Sequence, residues 1–306
     1  ALSPDTGAVL AVFSIPGDRG DPLLTAHQPA STFKPFTALA ALEAGTITKT
    51  TERECTGTYV FAGKDFTCAG KHGKENAAEA IVRSCNGFFY AVGAEMDHGR
   101  ILDVARRFGF GSRTGIELLD EAGSVASPAR DDEIKRDPTS AVPLLDAIGH
   151  GEMKITLLQL ARAYAVFANG GTVPRLTLRA SPSAPPAPRI LELNPEYLDV
   201  VRGALLDTVA TEAGTAHTVA IPGFEFAAKT GSSDAPARSG APLSATKDKD
   251  DEDTWFVAYA PPRSPSILVA VRIERGDAGQ DAKAVGKQVL EAWRDIPRDP
   301  VPGAVR

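Results

Sequence analysis

The sequence has no apolar run near the roughly 18 residues that a membrane-crossing helix requires, so no such helix is expected in it. It also lacks a basic tract. Lys and Arg total 33 against 39 Asp and Glu, a net charge of −6, which argues against a nucleic-acid binder. The opening Ala1-Leu2-Ser3-Pro4 has neither the basic stretch nor the apolar core of a secretion signal, and the sequence reads as a mature or excised piece. Cysteines are scarce, three in 306 residues. Cys55 and Cys68 would close a loop of about a dozen residues in an oxidising compartment, leaving Cys85 unpaired; buried free thiols are the equal alternative, and spacing does not choose.

What is present is an ordinary globular composition, 43% hydrophobic and 24% charged, enough for a large core without staples. Ala8 to Ile15 is a continuous apolar run of strand length after the turn Pro4-Asp5-Thr6-Gly7, and it implies a hairpin whose first strand lies upstream. From about Ser31 to Gly171 the spacing is helical. Lys34 to Ala44 closes on Gly45, Asn76 and Glu79 form a capping box, and Leu157 to Ala168 ends on Asn169-Gly170-Gly171. Residues 181–188 are a stiff proline-rich connection. Strand signals return at Phe224 to Lys229, Thr254 to Tyr259 and Ser266 to Ile273, with a polar, mobile loop expected over Ser232 to Asp253. Ala282 to Trp293 is a last amphipathic helix. Strands at both ends around a helical middle give one antiparallel sheet with a helical lobe inserted in it, an α+β arrangement.

Three short motifs carry the chemistry: Ser31-Thr-Phe-Lys34, Ser84-Cys-Asn86 and Lys229-Thr-Gly231. Ser31 and Lys34, three apart at a helix start, share a face. A serine hydroxyl needs an adjacent base, and a lysine serves only when burial or a nearby cation makes it neutral. Lys229 is the expected cation. Ser84 is placed to relay a proton and Asn86 to hold a substrate amide. Lys229 and Thr230 would grip a carboxylate at a strand edge, with Gly231, Ser232 and Ser233 extending the substrate surface. The backbone N–H groups of Ser31 and Ser232 are the candidate oxyanion donors. Alone, Ser-x-x-Lys is weak, since Ser244-Ala-Thr-Lys247 repeats it in the polar loop; Pro35 also removes an amide from the first turn. The order and spacing of all three motifs carry the reading. No metal and no cofactor are expected.

Sets of this kind are associated with penicillin-binding proteins and class A β-lactamases, and the chain resembles the transpeptidase domain of penicillin-binding proteins over its whole length. Asp5 to Ala11, Gln28 to Pro35, Phe108 to Ile116, Ile148 to Glu152, Glu212 to Ala216 and Trp255 to Pro261 all resemble segments of that family. The cysteines and Ser84-Cys-Asn86 resemble its monofunctional, elongation-type branch. The resemblance implies a β-lactamase/transpeptidase-like fold in one domain, 1–306. A sheet lobe (about 1–28 and 190–306) and a helical lobe (about 29–180) would flank the active-site cleft. It implies D,D-transpeptidation of peptidoglycan stem peptides through a serine acyl-enzyme, binding of β-lactam antibiotics, an extracytoplasmic location, an upstream membrane anchor and a glycan-polymerising partner. Carboxypeptidase, β-lactamase and silent sensor are the alternatives; no Glu-x-x-Leu-Asn segment of the class A β-lactamases occurs. Departures from the family pattern are Ala30 and Ala228 where glycine is usual, a short stretch from Ile15 to Ser31, and Asp234 following Ser232-Ser233.

Overall fold

A computed structural model describes residues 1–16, 20–178, 189–234, 252–276 and 281–297. The proline-rich stretch, the Ser244–Lys247 pair and most of the expected polar loop lie outside them. In chain order the elements are α1 (Lys34–Glu43), β1 (Arg53–Cys55), β2 (Thr58–Phe61), β3 (Lys64–Thr67), β4 (Gly73–Glu75), α2 (Ala77–Val82), α3 (Asn86–Glu95), α4 (His98–Arg107) and α5 (Pro128–Arg136). There follow α6 (Val142–Ala147), α7 (Leu157–Asn169), β5 (Thr172–Val173), β6 (Arg189–Ile190), α8 (Pro195–Ala210), β7 (Ala227–Asp234), β8 (Glu252–Ala260), β9 (Ile267–Gly276) and α9 (Asp281–Asp295).

β7, β8 and β9 form an antiparallel sheet in that order, with Lys229 opposite Val257 and Gly231 opposite Trp255. The unbroken apolar run of β8 reflects burial on both faces. Trp255, Val257 and Tyr259 enter the large core shared with the helices, while Phe256, Ala258 and Ala260 enter a second core under α9. Gly286 of α9 lies against the Phe256 ring, leaving no room for a Cβ. The capping box is formed as the spacing requires: Asn76 Oδ1 accepts the Ala78 and Glu79 N–H groups, and the Asn76 N–H donates to Glu79.

The structure differs from the sequence expectations in three places. Ala8 to Ile15 is not a strand; Leu2 bridges Val9 and Leu268, Ala8 bridges Thr177, and Phe13 stays 85% exposed. An apolar run becomes a strand only where a ladder partner accepts its amides. The helical middle is interrupted by β1 paired with β4 and by the β2–β3 hairpin. The two hairpin residues, Ala62 and Gly63, both have positive φ (48° and 74°), the geometry that matches strand twist in tight hairpins. The expected loop is also shorter at each end. β7 runs on through Ser232, Ser233 and Asp234, and β8 begins at Glu252, because the polar residues pair across the ladder.

Candidate active site

Ser31 sits in a 3-10 turn, Ala30–Phe33, that leads directly into α1. Pro35 is accommodated at the first turn of α1, where amides have no helical acceptor in any case. The turn is held from several sides. The Ala30 N–H donates to Gly149 O at 2.9 Å, the Tyr164 hydroxyl donates to Thr32 O at 2.7 Å, and Phe33 and Phe36 pack with Phe108, Phe110 and Phe167. Ala30 has φ +52°, a conformation that normally favours glycine. The family departure at this position is therefore a strained one.

Lys34 is fully buried, and its Nζ is 2.9 Å from Ser31 Oγ, 2.7 Å from Ser84 O, 3.2 Å from Ser84 Oγ and 2.6 Å from Asn86 Oδ1. Burial lowers its pKa to about 8, against the opposing influence of Cys68, Cys85 and Glu75. Lys229, also fully buried, donates to Ser84 Oγ at 2.9 Å and to Thr230 O at 3.0 Å. Burial first, and then the charge of Lys34, hold Lys229 well below the usual lysine range. Ser84 Oγ thus bridges the two lysines. Ser84 takes φ +55° in the tight link between α2 and α3. Gly231 faces the Ser31 turn, where a Cβ would lie 3.0 Å from Thr32 Cγ2 and 3.2 Å from Thr32 N.

Of the substrate residues read from sequence, Thr230 and Ser232 share one face of β7. The Thr230 hydroxyl donates to Thr215 Oγ1 at 2.7 Å, and Ser232 is partly exposed. Ser233 falls on the Lys229 face and is only 5% exposed, so its hydroxyl is not presented as that of Ser232 is. The Asp234 side chain lies outside what the structure describes. Ala228 turns into the core under α9 and needs no unusual backbone. A cavity of about 680 Å³ beside β9, among Phe13, Ile15, Val271 and Val289, does not include the Ser31–Lys34–Lys229 cluster.

The family model for the penicillin-binding protein transpeptidase domain matches residues 1–291. The chain belongs to this family. It is 28% identical to the peptidoglycan D,D-transpeptidase MrdA of Acinetobacter baumannii, covering 96% of this chain and 50% of that protein. It is 28% identical to the peptidoglycan D,D-transpeptidase PbpA of Mycobacterium tuberculosis, covering 95% and 66%. Its fold matches that of Pseudomonas aeruginosa PBP2 with a TM-score of 0.80 at 27% identity, covering 95% of this chain and 72% of that one. The α+β, β-lactamase/transpeptidase-like fold and the elongation-type resemblance both stand. The chain spans about half the length of several curated relatives that it matches.

Around this transpeptidase-family site the structure adds groups that the motifs did not name. His150 Nε2 lies 3.0 Å from Ser232 O, and Gln28 Nε2 donates to His150 O and Gly151 O, tying the segment that carries Ser31 to β7. Thr215 supports Thr230. His150 and Thr215 lie in segments the sequence marks as family-like, but only folding brings them to β7.

The second addition is a thiol centre. One ligand atom each from Cys55, Cys68, His72 and Cys85 lie within 4.8 Å of one another, and all three cysteines are free. The sequence expected either a Cys55–Cys68 disulfide or buried thiols, and no metal. The structure has the free-thiol alternative, with Cys55 buried and Cys68 partly buried, and folding adds to it an assembly of three thiols and an imidazole, the donor set of a structural zinc site, with buried Glu75 3.7 Å from His72 Nδ1. These residues fit a soft divalent ion, which would serve as a cross-link. The hydrogen bond from Cys85 holds the Cys68 thiol down to about 3, and the same bond, with burial, pushes the Cys85 thiol up.

Proposed function

We propose that this chain is the D,D-transpeptidase domain of a peptidoglycan synthase, acylated at Ser31 by stem peptides and by the β-lactams that mimic them. The observation that carries the reading is the unbroken run of contacts from Ser31 Oγ to Lys34 Nζ, Ser84 Oγ and Lys229 Nζ. In this reading Lys34 in its amine form takes the Ser31 proton as Oγ attacks the carbonyl carbon, and Ser84 passes that proton to the departing amine. The Ser31 and Ser232 N–H groups receive the oxyanion, and Asn86 orients the substrate amide. Lys229, Thr230 and the partly exposed Ser232 hold the terminal carboxylate, beside Gly231 and Ser233.

Arrival of that carboxylate has a consequence for the two lysines. Without it, Lys34 has the better cation seat, with Ser84 O and Asn86 Oδ1 as strong acceptors, while Lys229 has only Ser84 Oγ and Thr230 O. A bound carboxylate moves the charge to Lys229, and repulsion then drives Lys34 to the amine. The substrate thereby prepares its own base.

Acyl transfer to the amine of a second stem peptide completes the reaction. A solved structure similar at TM-score 0.83 and 27% identity concerns coordination of polymerization and crosslinking by a peptidoglycan synthase complex, which supports a glycan-polymerising partner here. We place the domain outside the cytoplasmic membrane, held by an anchor in a longer protein; no helix of the described residues is long and apolar enough to cross a membrane.

The test is labelling with a fluorescent penicillin, followed by incubation with paired stem peptides. Ser31 should carry a stable adduct, Ser31→Ala should carry none, and cross-linked dimer should exceed trimmed peptide. Labelling that survives in Ser31→Ala overturns the mechanism; rapid loss of the adduct with no dimer points to a β-lactamase.

A further inference from the structure

The loop from Ile148 to Met153 touches the backbone on both sides of the proposed oxyanion site. Gly149 O accepts the N–H of Ala30, the residue before Ser31, at 2.9 Å, and His150 Nε2 lies 3.0 Å from Ser232 O. A Cβ on Gly149 would overlap Ala30 O, so the loop lies directly on the Ser31 turn. On its other side the loop rests on Asp146, which is 1% exposed. Asp146 Oδ1 accepts the Glu152 N–H at 2.9 Å and the Met153 N–H at 3.4 Å, and a Cβ on Gly151 would overlap the same carboxylate. The other oxygen, Oδ2, lies 2.9 Å from Nε2 of His98, itself buried at the start of α4. Across the ring, His98 Nδ1 lies 2.8 Å from Asp131 Oδ1. The three motifs include none of His98, Asp131 and Asp146.

We propose that His98 and Asp146 are positioning residues for acylation: they fix the loop 148–153 and, through it, the spacing of the Ser31 and Ser232 N–H groups that receive the oxyanion. A buried carboxylate needs a donor on each oxygen, because leaving it unpartnered is costly. The loop amides fill Oδ1 of Asp146, and His98 is its ion-pair partner at Oδ2. Asp131 is served twice, since Lys135 Nζ also reaches its Oδ2 at 2.6 Å. Of the other charges nearby, Asp97 pairs with Lys135 and Glu152 with Arg130. Burial opposes a charge on His98, but the two carboxylates outweigh it and raise its pKa, and the charged ring donates to both. When the ring loses a proton, Lys135 still compensates Asp131, so Nδ1 is the atom that releases it. The Nε2–H stays on Asp146 in either form.

The oxyanion develops as Ser31 attacks, so the spacing of its donors governs the rate at saturation rather than the affinity for penicillin. Amide replacements of the ring separate its two sides. Glutamine carries its NH₂ near the Nε2 position and keeps a donor to Asp146, whereas asparagine carries it near Nδ1 and serves Asp131 instead. Gly151→Ala reaches the same contact from the loop, its methyl pushing the backbone off the Asp146 carboxylate while His98 is left intact.

The inference rests on acylation at Ser31 for its kinetic half; its structural half is read separately by hydrogen exchange. Labelling by fluorescent penicillin is followed over a concentration series, which gives a saturating rate and a half-saturating concentration, and the end-point counts folded sites. His98→Asn and Gly151→Ala should each lower the saturating rate about tenfold to a hundredfold, as an ångström of misplacement does, while the half-saturating concentration moves less than about threefold. His98→Gln should recover most of the native rate. Amide exchange around Ala30 and Glu152 should quicken in the first two variants and stay slow in the third. A native saturating rate in His98→Asn or Gly151→Ala, a change confined to half-saturation, or equal losses in the Asn and Gln variants overturns the proposal. Should His98→Asn fail to fold, Gly151→Ala and His98→Gln decide by the same criteria. Absence of label on Ser31 in the native chain refutes acylation there and the kinetic half with it, while exchange still judges the hold of Asp146 on the loop.

Discussion

Raising the pH from 7 to 9 should speed acylation of Ser31 about tenfold and then level off. In the proposed mechanism the base is Lys34, whose amine form alone can accept the serine proton. Burial lowers its pKa to about 8. At that value about 9% of the lysine is amine at pH 7 and about 91% at pH 9, whereas an unperturbed lysine near 10.5 would pass from about 0.03% to about 3% and keep rising. The sign follows from the charge: desolvation penalises the ammonium, so the active form gains as pH rises through the lowered pKa. The assay is stopped-flow labelling with a fluorescent penicillin at sub-saturating concentration, which reports the free protein's ionisation. A plateau near pH 9 is expected. At saturating ligand the midpoint should move lower, because a carboxylate-bound Lys229 keeps its charge beside Lys34. A rate that climbs about hundredfold from pH 7 to 9 without levelling, or one that is flat, refutes Lys34 as the buried base.

Lys34→Arg keeps the charge but cannot become neutral near physiological pH, so labelling should disappear although the fold survives by circular dichroism. Ser84→Ala removes the hydroxyl shared by Lys34 and Lys229 and should slow acylation about 10² to 10⁴-fold; a loss below about threefold removes Ser84 from the proton path. Gly231→Val would press on Thr32, whose backbone N is 3.2 Å from the first added carbon. A cost of about 1–3 kcal/mol and slower labelling are expected, read by urea denaturation and penicillin binding. Tyr164→Phe breaks the buried 2.7 Å hydrogen bond to Thr32 O and should cost about 1–3 kcal/mol in the same titration; an unchanged midpoint would mean the nucleophile turn is held by packing alone.

Much of the fold was legible because local chemistry agreed with it. The Asn76 cap, Gly45 after α1, and the apolar spans of β8 and β9 each state their element in a few neighbouring residues. The run from Ala8 to Ile15 misled because strand propensity needs a partner, and the short strand pairs at 53–75 escaped notice because strands of three or four residues give little period to read. Within the site, the motif residues were legible by type and order: Ser31, Lys34, Ser84, Asn86 and Lys229. Their bonding was not. Nothing local says that Ser84 Oγ lies between two lysines, or that His150 approaches Ser232 O across 82 positions of chain.

By itself, then, the sequence determined which side chains are available for the proposed acyl transfer and the elements on which they stand. Only the tertiary structure decided their ionisation and their neighbours. Burial of Lys34 and Lys229 is a property of the whole core, since desolvation depends on everything packed around an amine rather than on its neighbours in sequence. The thiol centre makes the same point, because Cys55, Cys68, His72 and Cys85 follow no compact metal-binding spacing. The β1–β4 pairing, with Cys55 opposite Gly73, brings together residues that chain order keeps apart.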